Sequence, residues 1–75
     1  MPTNEDRANW ADSAICAFAL DVGQDPEFEI EEIIGDLLAD LMHYCNQKGL
    51  NFDELLSRGR DHYECEMAEE AEEVQ

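Results

Sequence analysis

Basic residues are almost missing from this chain: Arg7, Lys48, Arg58 and Arg60 stand against twenty Asp and Glu. The formal net charge is −16 over 75 residues, which argues against direct binding to nucleic acid or to an anionic lipid surface. Long hydrophobic runs are missing too. No apolar stretch approaches the roughly 20 residues that span a bilayer. The opening Met1-Pro2-Thr3-Asn4-Glu5-Asp6 has neither the basic start nor the apolar stretch of a signal peptide. The expectation is a cytoplasmic protein with no membrane contact. Cysteine is sparse: Cys16, Cys45 and Cys65 are odd in number and widely spaced, as for reduced thiols rather than a disulfide scaffold. A Gly-rich phosphate loop, a serine elbow and a Cys–His nucleophile pair are all lacking, and nothing local activates Ser13 or Ser57. The chain reads as a non-enzymatic protein without a cofactor.

What is present is helical periodicity. A chain this acidic stays disordered if weakly hydrophobic, but 44% of its residues are hydrophobic and most recur at helical spacing. The reading is an all-α, compact three-helix bundle. Its helices span about 4–22, 26–48 and 51–68, forming one domain over 1–68, and a frayed acidic tail covers 69–75.

The first helix begins at a Thr3 or Asn4 cap, carries Trp10, Ala14, Ala17 and Phe18 at three-four spacing, and ends at Gly23. The second has Asp25 as N-cap and Pro26 at its first position. It carries Ile30, Ile33, Ile34, Leu37, Leu38, Leu41, Tyr44 and Cys45 as one wide stripe, and closes at Gly49. The third starts with an Asn51/Glu54 capping box and turns Phe52, Leu55, Leu56, Gly59, Tyr63 and Met67 inward. Gly59, and at the stripe's edge Gly35, mark close helix crossings on this reading. Ile34, Leu37, Leu41, Phe52, Leu56, Tyr63, Trp10 and Phe18 are the expected core. The alternative architecture is a helical hairpin over 26–67, with the first helix docked across it or exchanged between protomers.

Projection of the second helix at 100° per residue puts Glu29, Glu32, Asp36 and Asp40 in one row, with His43 and Gln47 continuing it. No Lys or Arg lies three or four positions away to neutralise them. Like charges at such spacing cost about 0.2–0.5 kcal/mol per pair. A solvated helix face is one explanation. The other is a partner-binding surface, because carboxylates about 5–6 Å apart resemble the charge spacing of a nucleic-acid strand. The partners implied are basic proteins, nucleic-acid-binding ones above all. A homodimer is the further reading, marked by an exposed apolar patch such as Met42 and Phe28.

Two constellations point to metals. His62 and Cys65 share a helix face, but zinc needs four converging ligands, so another helix or chain would have to complete the set. Glu29-x-x-Glu32 resembles the carboxylate pairs of the all-α nucleotide pyrophosphohydrolases of the MazG type, which implies magnesium-dependent hydrolysis. Such enzymes add a Glu-x-x-Asp pair on a following helix. This chain offers instead Asp36 and Asp40, four apart, and Asp61-x-x-Glu64 in reversed order.

The stretch from Asp36 to His43 (DLLADLMH), then Gly49 to Leu56 (GLNFDELL) and Asp61 to Glu64 (DHYE), resembles a group of small acidic helical proteins. They are proteins of unknown function encoded on bacterial plasmids, integrative elements and phages. The resemblance covers about the second half of the chain and implies a mobile-element context. Proteins of that context often block host nucleases or other DNA-binding machinery, which makes DNA mimicry the function it implies.

Overall fold

In a computed structural model the chain folds as α1 (Asn4–Val22), α2 (Pro26–Lys48) and α3 (Phe52–Glu73). The structure describes residues 1–73, with the backbone alone at Glu73. It is an all-α three-helix bundle in which every helix pair is in contact, and no strand occurs among the described residues.

Local chemistry sets the helix starts. Thr3 caps α1 through a reciprocal box: Thr3 Oγ1 accepts from the Asp6 N–H at 3.1 Å, and Asp6 Oδ2 accepts from the Thr3 N–H at 2.9 Å. Asp25 Oδ1 accepts from the Glu27 N–H at 2.9 Å, with Pro26 behind it needing no donor of its own. Asn51 Oδ1 accepts from the Glu54 N–H at 3.1 Å. The Glu54 carboxylate does not complete the expected box; it pairs with Arg58 one turn on, at 3.2 Å. Gly23 and Gly49 end their helices at φ 73° and 70°, where a Cβ would be strained.

The end of α3 corrects the boundary expected at residue 68. The helix runs on to Glu73 because the start of α1 holds it. The Asn4 N–H donates to Glu70 Oε2 at 2.7 Å, and Asn4 Nδ2 donates to the Glu66 carbonyl at 3.3 Å. Arg7 Nε meets Glu66 Oε2 at 2.8 Å. Val74 and Gln75, the end of the expected fray, lie outside the described residues.

The expected core is corrected more deeply. Among the described residues only Ala19, Ile33 and Cys45 are buried. Leu37, Phe52 and Phe18 are half-buried, while Ile34, Leu41, Leu56, Tyr63 and Trp10 are exposed, Leu41 at 42% and Trp10 at 60%. The reason is splay. Helices packed 8–10 Å apart give a three-helix bundle two short axes, yet the principal extents here are 43 × 32 × 18 Å. The radius of gyration is 14.6 Å, against about 11 Å for a tightly packed chain of this length. Nor do the helical glycines mark crossings, since a Cβ built on Gly35 or Gly59 meets nothing within 4 Å.

Candidate partner-binding surface

The four carboxylates of the α2 row do not share one environment. Glu29 has left the helical line: its backbone sits at φ −126°, ψ 26°, and its Oε2 turns back to accept from the Asp25 N–H at 3.1 Å. It therefore works as a cap for the first turn. Asp36 is half-buried, and its Oδ2 accepts from Gln24 Nε2 in the α1–α2 connection at 3.3 Å. Glu32 and Asp40 are exposed. The geometry thus keeps two rungs open to solvent and engages two in local hydrogen bonds.

The row also borders a helix seam. Fully buried Ile33 lies three residues before Asp36 and seven before Asp40, hence beside them on the helix surface. The Gln24–Asp36 bond places the α1 end on this side of α2. In the first half of α2, packing has chosen the edge of the stripe nearest the carboxylates, burying Ile33 and not Ile34 or Leu38; Cys45, in line with Ile34 and Leu38, is buried only at the far end of the helix.

No cation offsets the row. The two ion pairs among the described residues are Arg7–Glu66 and Arg58–Glu54, both made with α3 carboxylates. Lys48 lies at the far end of α2, with its ammonium 5.9 Å from the centre of the Tyr44 ring. Uncompensated carboxylates on a rigid helix present a fixed negative field to whatever approaches.

The metal constellations are not assembled within one chain. Among the described residues no group of three or more His, Cys, Asp or Glu side chains stands where it could hold a metal ion. The Glu29/Glu32 and Asp61/Glu64 pairs therefore do not converge, and His62 and Cys65, both exposed, gain no further ligands. All three cysteines are free, with Cys45 buried and Cys16 and Cys65 exposed. No described helix is long and apolar enough to cross a membrane.

Glu66 and Glu70, which hold α3 to the start of α1, are the carboxylates whose part in the fold sequence reading missed. Their run of glutamates looks like a solubilising tail, and nothing local distinguishes the two that reach α1. Their partners, Asn4 and Arg7, are themselves ordinary first-turn residues. No protein family, curated protein or solved structure matches the chain.

Proposed function

We propose that this is a non-enzymatic acidic interaction protein that binds a basic partner protein, of the nucleic-acid-binding kind, through the carboxylate surface of α2. Glu29, Glu32, Asp36 and Asp40 are the binding residues, with exposed Glu32 and Asp40 making the first contact. The observation that carries the reading is that none of these four has a cationic partner among the described residues, while the two ion pairs found there use α3 carboxylates. A protein of charge −16 that neutralises little of it internally gains most by meeting Lys and Arg on another molecule. A carboxylate row standing where phosphates would stand occupies the nucleic-acid site of such a partner and excludes DNA from it. The resemblance to acidic proteins of plasmids, integrative elements and phages supports a host DNA-binding protein as the target.

Affinity capture from host-cell lysate at low and high salt tests this. The wild-type chain retains a basic protein at low salt and releases it at high salt. The variant carrying Glu29→Gln, Glu32→Gln, Asp36→Asn and Asp40→Asn loses it. The captured protein, once purified, binds DNA less well in the presence of the wild-type chain. Capture that survives the four substitutions leaves the row as a solvated helix face and ends the proposal.

A further inference from the structure

The chain exposes more surface than a folded single chain of its mass, and the flank of α2 away from the carboxylate row is a contiguous apolar part of that surface. At 100° per residue, Ile30, Ile34, Leu38, Leu41 and Met42 share the side of α2 about 180° from the carboxylate row. All five are exposed, at 39–51%. Between Ile30 and Met42 only Glu31 projects among them, the other three acids there belonging to the row. The accessible surface of the chain is 6193 Å². A folded monomer of 8.6 kDa exposes about 4,700 Å². The excess, spread over the whole chain, is about 1,500 Å², or about 3,000 Å² for two chains, inside the 2,000–5,000 Å² that obligate homodimers bury; the five flank side chains are one contiguous apolar part of it.

We infer that a second copy of this chain covers this flank, in a two-fold symmetric dimer centred on the Ile30–Met42 face of α2. Obligate homodimer interfaces resemble a domain core cut in half, and a chain whose described residues bury only Ala19, Ile33 and Cys45 holds such a half. A basic partner does not suit the flank, because the acids that attract it lie on the opposite side of α2. A second copy suits it by chemistry, apolar on apolar, and two-fold pairing makes one patch serve both chains. The dimer turns both carboxylate rows outward, so this pairing neither needs nor obstructs the binding of a basic protein. The two interactions respond to salt in opposite directions: screening weakens attraction to a basic partner and relieves the repulsion between two chains of −16 each.

Sedimentation equilibrium on the wild-type chain at low and moderate salt is the test. A mass twice that of the chain, association strengthened by salt, and an unfolding midpoint that rises with protein concentration support the dimer. A single-chain mass with a concentration-independent midpoint overturns it, and so does a trimer or larger assembly. Ile34→Glu and Leu41→Glu, set against Leu20→Glu on α1, locate the interface. The first two weaken association roughly tenfold or more, while Leu20→Glu, at a side chain 82% exposed, leaves it unchanged. Should the Glu variants unfold, Leu38→Asn and Met42→Gln replace them as milder changes. Equal association in all α2 variants and the wild type overturns the assignment to this flank.

Discussion

Arg7 Nε stands 2.8 Å from Glu66 Oε2, and this ion pair fastens the first helix to the last. Both side chains are about a third exposed, so water screens the pair without dissolving it. Arg7 also donates from Nη1 to Asn4 Oδ1 at 2.7 Å, and Asn4 in turn holds the Glu66 carbonyl and the Glu70 carboxylate. The latch is a small network rather than a single contact.

Removing one member should show that coupling. Arg7→Ala or Glu66→Gln is expected to cost about 1 kcal/mol, at the upper end for a screened pair. Asn4→Ala should cost at least as much, since its side chain loses Nδ2 to the Glu66 carbonyl as well as Oδ1 to Arg7. A double-mutant cycle on urea unfolding, Arg7→Ala with Asn4→Ala, should return a non-zero interaction energy. Strict additivity would show that the network does not act as a unit.

Gly59→Ala should stabilise the chain. The position is helical and a Cβ there meets nothing within 4 Å, so only the gain in helix propensity remains, about 0.5–1 kcal/mol. In a domain of this size that raises the midpoint of thermal unfolding by a few degrees, about 4–8 °C per kcal/mol. A lower midpoint would mean that the space beside Gly59 is filled in solution.

Stability should rise from low to moderate salt. Two ion pairs weaken on screening, at no more than about 1 kcal/mol each, while a net charge of −16 repels itself across the whole surface. Relief of repulsion is the larger effect. A melting midpoint that falls steadily over this range would contradict it.

Leu41→Ala separates the isolated chain from the dimer. Full burial would make its cost 2–5 kcal/mol, but at 42% exposure a lone chain loses about half the transfer term, under about 2 kcal/mol. Unfolding measured at several protein concentrations distinguishes the two. A large cost that grows with concentration belongs to the interface.

The two open rungs of the row should matter more than the two engaged ones. Glu32→Gln with Asp40→Asn removes exposed charge and should weaken capture of the basic partner strongly. Glu29→Gln should weaken it little, because that side chain is already turned onto the Asp25 N–H. Its role should appear in stability instead: Glu29→Ala loses the cap contact, at about 0.5–1 kcal/mol, whereas Gln keeps an oxygen that accepts from the Asp25 N–H. Capture at low salt with each pair of variants compares them directly.

The three helices and nearly all their ends were legible in the sequence, because the forces that set them act within a few residues. Thr3, Asp25 and Asn51 bond N–H groups two or three positions away, and Gly23 and Gly49 reverse the chain by their own φ. The uncompensated acid on α2 was legible for the same reason, since ion pairing along a helix needs a cation three or four residues off and none is there. The extent of α3 was not, because Glu70 finds the Asn4 N–H 66 positions away. Nor was the core: the stripe of α2 is wide enough to be buried along either edge, and only the docking of α1 decided for Ile33 over Ile34 and Leu38. That same docking drew Asp36 into a hydrogen bond and left Glu32 and Asp40 outside. Local chemistry fixes where a helix begins and which residues ring it; which part of the ring meets a neighbour is settled by contacts between segments far apart in the chain.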